Sequence, residues 1–176
     1  MSYQREYDQR IKVGIIGIGS HCYRNILPVM TFLPVEIKAM CDINEELLKK
    51  TAKQYGCTYY TDTKEMYAKE DLDAVFISVG PGLHPKLSIE AMEAGLHVWV
   101  EKPIAMRAFE VEEMIEHRKD RIIVVGFKKA FMPVTEKAKE IANSEKYGNV
   151  KTILGIYPMS IPNNGEQVLE ERQFTN

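Results

Sequence analysis

A strong charge of either sign is missing from this chain, and so is any long apolar run. Over 176 residues the formal net charge is −2, which gives neither nucleic acid nor an anionic membrane surface a reason to bind. No apolar stretch approaches the length of a membrane span, and the opening residues MSYQREYDQR lack the apolar core of a signal peptide. Cysteine is scarce as well: Cys22, Cys41 and Cys57 form an odd set with no C-x-x-C pair. That usage points to reduced thiols in the cytoplasm, and the spacing of His21 and these cysteines matches no metal site. Internal repeats and low-complexity tracts are absent. What is present, 45% hydrophobic and 27% charged residues, is the make-up of a soluble globular protein. The length allows one domain, or one domain and part of another.

The stretch from Lys12 to Asp42, KVGIIGIGSHCYRNILPVMTFLPVEIKAMCD, carries the main signal. An apolar run, Val13 to Ile16, leads into Gly17-Ile18-Gly19 and an apolar segment of helical character; a second apolar run, Val35 to Met40, ends at Asp42. Strand, glycine turn, helix, strand and terminal acid are the parts of a mononucleotide-binding βαβ unit. Gly17 suits the tight turn, and Gly19, lacking a Cβ, lets the backbone approach a pyrophosphate. A helix beginning near Ser20 would point N–H groups and its positive dipole end at that anion. Asp42, 25 residues after Gly17, stands where a carboxylate accepts hydrogen bonds from an adenosine ribose. The third glycine of G-x-G-x-x-G is replaced by Cys22, a small residue at a position that serves helix–strand packing. A bare Gly-x-Gly also fits an ordinary strand–turn–helix, and the two strands and the acid are what favour a nucleotide.

Along the rest of the chain, residues 1–10 read as a flexible lead-in, 11–17 as the first strand and about 20–32 as a helix that Pro28 either bends or confines, in its regular part, to one side. Further strands are expected at 35–41, around Tyr59 and Tyr60, at 74–79, 97–100 and 121–127. Helices are expected after Asn44 up to Gly56, at 63–70, at 85–94 closed by Gly95, and at 110–119. Strands alternating with helices at these lengths imply an α/β fold with a doubly wound parallel sheet. The near-continuous apolar run 74–79 fits a strand covered on both faces. Past Gly126 a helix at 134–147 and a strand at 150–157 precede a polar, turn-rich tail, too little for an independent core. The expected organisation is a flexible 1–10, a dinucleotide-binding domain at 11–126, and at 127–176 the start of a second, incomplete α/β domain.

The combination of GIIGIG, Cys41-Asp42, the block AMEAGLHVWVEKP and VVGF resembles the GFO/IDH/MocA family of nicotinamide-dependent oxidoreductases, over about residues 11–158. The most specific part is Ala91 to Pro103. The resemblance implies a Rossmann domain followed by an α/β domain that often mediates dimers or tetramers, and hydride transfer between NAD or NADP and a sugar, inositol or related polyol. By resemblance, Gly17, Ile18, Gly19, Ser20 and His21 line the pyrophosphate and Asp42 the ribose. Val79, Gly80 and His84 lie along the nicotinamide side, and Glu101 and Lys102 face the nicotinamide and substrate. Val79-Gly80-Pro81 stands where many members have Thr-Pro-Asn, and the later half that usually supplies an Asp, a His and most of the substrate pocket has no counterpart here.

Each residue also has a plainer reading. Lys102 is a candidate acid/base, or a solvated lysine at a strand end; Pro103 would stiffen the turn that aims it. Asp42, with no Arg beside it, favours NAD over NADP, and also suits a helix cap. His84 is a cofactor contact or a structural histidine, and His21 a phosphate contact or a solvated side chain. His97 and Trp99 read as strand packing. Two functions stay open at this point: an NAD-dependent oxidoreductase forming a homo-oligomer, and a truncated, catalytically incompetent nucleotide-binding or oligomerisation module whose unpaired edge at 150–157 invites assembly.

Overall fold

In the computed structural model, residues 7–156 and Pro158 are described, and the chain divides into two compact units at the Gly126–Phe127 bond. The first unit holds β1 (Ile11–Ile16), a π-helical turn (Cys22–Ile26), α1 (Leu27–Met30), β2 (Val35–Cys41), α2 (Glu45–Tyr55), β3 (Thr58–Tyr60) and α3 (Thr63–Lys69). It continues with β4 (Ala74–Ile77), α4 (His84–Glu93), β5 (His97–Val100), α5 (Ala108–Arg118) and β6 (Ile123–Val125). The six strands are all parallel, in the order β3-β2-β1-β4-β5-β6. The order reverses between β1 and β4, the point at which open α/β sheets bind their ligands.

Two apolar layers explain the winding. Side chains alternate across a strand, so Val13 and Ile15 of β1 enter one core with Ile18, Cys22, Ile26, Leu27, Met30, Met40 and Leu48. Ile16, Val75, Ile77, Val98 and Val100 enter the other, with Met66, Ala91, Met92 and Met114 from α3, α4 and α5. Helices therefore cover both faces of the sheet, as the continuous apolar strands required. Local signals place the helix ends: the Asn44 side chain accepts from Leu47 N–H at 3.1 Å, and Gly56 closes α2 with φ +68°.

The helix expected at 20–32 is wound differently. Its first half is a π turn in which Leu27 N–H donates to Cys22 O, and α1 ends at Met30. Pro28 has no N–H to continue an α ladder, and the widened turn removes the demand for one. The lead-in is partly anchored: Tyr7 Oη donates to Phe32 O at 2.9 Å.

In the second unit, α6 (Pro133–Ala142) is shorter than the expected 134–147, with Ser144 and a separate 3-10 turn, Glu145–Tyr147, before Gly148. The strand expected at 150–157 does not form at 150–156; these residues lack regular structure, and Ile153, Leu154 and Ile156 are exposed. Among the described residues no strand stands beside it in register, so the apolar run has no ladder to join there. Tyr157 and most of the polar tail lie outside the described residues.

Candidate nucleotide site

The carboxyl ends of β1, β2, β4 and β5 meet at one edge of the sheet, and the turns leaving them carry the candidate residues. Gly17 has φ +83°, and a Cβ there would sit 2.6 Å from both Ser78 O and Val79 Cγ1. Left-handed backbone and the close approach of the β4 end both exclude a larger residue. Gly19 differs: a Cβ would meet nothing within 4 Å. The protein's own packing asks for Gly17 and leaves the space above Gly19 open. Ile18 between them is fully buried in the core, so only its backbone takes part in the turn. Ser20 and His21 are exposed beyond it.

Asp42, half-buried at the end of β2, joins the two halves of this βαβ unit. Its Oδ2 accepts Ile18 N–H at 2.8 Å and its Oδ1 accepts Asn44 N–H at 2.8 Å. The carboxylate thus fixes the glycine turn and the start of α2 together, which agrees with the capping alternative, although Asn44 supplies the cap itself. Each carboxylate oxygen keeps a second lone pair, so a ribose hydroxyl could still donate to it.

At the end of β5, Glu101 is the centre of a cluster. Its side chain is 12% exposed; Oε1 lies 2.9 Å from His21 Nε2, and Oε2 accepts Lys102 N–H at 3.0 Å. Lys102 Nζ stands 3.8 Å from Oε2 with its side chain 57% exposed, a charged head open to solvent beside a nearly buried carboxylate. Gly126 makes room for this arrangement, since a Cβ there would lie 2.7 Å from Trp99 Cζ2 and 3.4 Å from Glu101 Oε1. His84 sits beneath the surface, 1% exposed, with Nδ1 2.7 Å from Pro103 O and Nε2 3.1 Å from Val79 O. It ties the β4 end to the Lys102–Pro103 turn, and its burial in this conformation favours the structural reading. Val79 is half-buried and Gly80 exposed above it. His97, read as packing, accepts Ile122 N–H on Nδ1 at 2.9 Å.

Residues 11–127 match the profile of the GFO_IDH_MocA oxidoreductases, described as an oxidoreductase family with an NAD-binding Rossmann fold. The chain belongs to this family. Among curated relatives of this GFO/IDH/MocA protein, D-xylose 1-dehydrogenase (NADP(+)) 2 of Haloferax volcanii is 27% identical over 158 residues, covering 88% of the chain and 48% of the relative. Inositol 2-dehydrogenase/D-chiro-inositol 3-dehydrogenase of Shouchella clausii is 30% identical over 145 residues, covering 78% of the chain and 42% of the relative. The crystal structure of scyllo-inositol dehydrogenase from Lactobacillus casei, with bound NAD(H) and scyllo-inositol, superposes with a TM-score of 0.70 at 27% identity, over 80% of this chain and 43% of that one. The chain spans less than half the length of each of these proteins.

The residues at the sheet edge fit the dinucleotide for which the family is described. The open position above Gly19 is a cradle that a Cβ would occupy, and Asp42 leaves acceptor capacity for a ribose. Sequence reasoning missed two participants. Gly126 stands out in the sequence only as part of VVGF and as the last residue of the domain, and a glycine at a strand end was the available signal for its packing role. Asn25, whose Nδ2 lies 3.3 Å from His21 Nδ1, gave none.

Proposed function

We propose that residues 11–126 bind NAD and that the chain serves as the cofactor-binding part of a dehydrogenase acting on a sugar, inositol or related polyol. Residues 127–176 then begin its substrate and oligomerisation domain. The observation that carries this reading is Gly19, a glycine that no neighbouring atom requires, on the turn at the switch point of a parallel sheet. Gly17, Gly19, Ser20 and His21 would hold the diphosphate, with Ile18 contributing backbone alone, and Asp42 the adenosine ribose. Val79 and Gly80 would border the nicotinamide, with His84 shaping that border from below. Bound nicotinamide supplies the hydride acceptor or donor. Lys102 Nζ would hold the proton of a substrate hydroxyl, and Glu101 would orient Lys102 through its backbone N–H.

The sugar and inositol dehydrogenases among the relatives support the substrate class. Asp42 supports NAD over NADP, because a carboxylate repels a 2′-phosphate, although one relative is named for NADP(+). Assembly as a homo-oligomer in the cytoplasm belongs to the same proposal. Exposed Ile153, Leu154 and Ile156 support assembly, and among the described residues no helix is long and apolar enough to cross a membrane. The test is a titration of the 176-residue chain with NADH and NADPH, followed by nicotinamide fluorescence. Saturable binding that favours NADH is expected, and binding of neither overturns the reading. Turnover with a polyol panel then separates an enzyme from a module that only binds.

A further inference from the structure

His21 and Glu101 are 80 positions apart in the chain, yet their side chains meet. His21 follows β1 and Glu101 follows β5, while β4 lies between those strands in the sheet. The 2.9 Å contact between Nε2 and Oε1 therefore arches over the carboxyl end of β4, across the switch point where the glycine turn faces Val79 and Gly80. The His21 ring is prepared for this contact. Asn25 Nδ2 lies 3.2 Å from His21 O and 3.3 Å from His21 Nδ1. An amide nitrogen facing both must donate to both, which makes Nδ1 the acceptor and leaves the hydrogen on Nε2. An N–H fixed on Nε2 suits a carboxylate and a phosphate oxygen equally well. The His21 side chain is 47% exposed, whereas Glu101, at 12%, accepts Lys102 N–H on Oε2 and packs its Oε1 where a Cβ on Gly126 would stand 3.4 Å away.

We propose that His21 is an anion-exchange latch: Glu101 holds its Nε2–H in the free chain, and the ring passes to the diphosphate of an entering dinucleotide. Glu101 Oε1 is released in the exchange and becomes available to a hydroxyl donor on the nicotinamide side. This rests on the NAD-binding reading and assigns it a step that the relatives' names do not. Glu101 is the competitor for His21, so its removal strengthens binding of a ligand that carries the diphosphate but no nicotinamide.

ADP is the probe. In the full chain, Glu101→Gln is expected to tighten ADP binding roughly two- to fivefold, the range of one partly exposed polar contact to a carboxylate, and His21→Gln to weaken it. The deciding measurement is the double variant, because relief of plain charge repulsion by Glu101→Gln would persist without His21. In the His21→Gln background the gain should vanish; a gain that persists, or no gain in either background, overturns the latch. The wild-type chain gives a readout that no folding defect can obscure. Its His21 ring nitrogen signals, followed by NMR, should move on saturation with ADP. Saturable NADH binding with a motionless His21 ring overturns the exchange alone, while a wild-type chain that binds neither ADP nor NADH overturns the dinucleotide reading and the latch with it.

Discussion

At the scale of the residue, two glycines of one turn have different masters. Gly17 is demanded by the fold: a methyl group would strike the backbone oxygen of Ser78 at 2.6 Å, on a backbone already at φ +83°. Gly17→Ala should therefore destabilise the protein by about 2 kcal/mol or more, the sum of a left-handed backbone and a core clash. Gly19→Ala meets no protein atom within 4 Å and should leave the melting temperature nearly unchanged while weakening NADH binding. Thermal melts and NADH titrations of both variants check this, and a Gly19→Ala protein that binds NADH normally removes the main support for the site. The cysteines give a second prediction. Burial pushes the Cys22 and Cys41 thiols up to about 12 and Cys57 to about 11, from 9.0 in the open chain. The unfolded chain thus loses these protons first. Their contribution to stability is complete below about pH 9 and is lost between there and 12, at up to about 1.4 kcal/mol per pH unit per thiol. Denaturant melts at pH 8 and 10 should show the loss, and Cys22→Ala should make it smaller. Equal stability at both values would sink the assignment.

Elements were legible where a period and a punctuating residue coincided. Asn44 and Gly56 bracket α2 in the sequence and do so in the structure, with the cap bond formed at 3.1 Å. Asn44→Ala should cost about 1 kcal/mol, read as a shifted denaturation midpoint; because Asp42 Oδ1 binds the Asn44 backbone and not its side chain, the glycine turn should survive. Six parallel strands were expected for the sheet and six are found, most of them because apolar runs bounded by turns leave little else to form, and β3, only Thr58–Tyr60, because two aromatic residues stand between helices. The π turn at Cys22–Ile26 had no comparable signal; Pro28 marks a disturbance, a bend or a regular part confined to one side, and does not announce that the preceding turn widens. The apolar run after Val150 looked like a strand, but a strand also needs a partner, and partners are not written locally. The candidate site divides in the same way. Glycine turn, terminal acid and Glu-Lys-Pro lie within short windows and could be read from the sequence. The contact of His21 with Glu101 and the role of Gly126 depend on how strands order in the sheet, and became visible only once β4 was placed between β1 and β5.

For the whole molecule, the distribution of burial decides what folds alone. Every buried hydrophobic side chain among the described residues precedes Gly126, and both core clusters draw only on residues before that point. The six strands lie there too, whereas α6 and its flanking turns contribute no buried residue. The second unit instead exposes Val134, Ile141, Val150, Ile153, Leu154 and Ile156, apolar surface that favours contact with other chains over stability in isolation. A chain ending at Gly126 should therefore keep its fold and NADH affinity, with a melting temperature within a few degrees of the longer chain, because little apolar burial is removed. It should also associate less. Calorimetry and light scattering on the two lengths at matched concentration measure both effects. If the shorter chain unfolds, residues after Gly126 stabilise the sheet in a way that burial does not reveal; if it folds but associates equally, the surface that drives assembly belongs to the first unit.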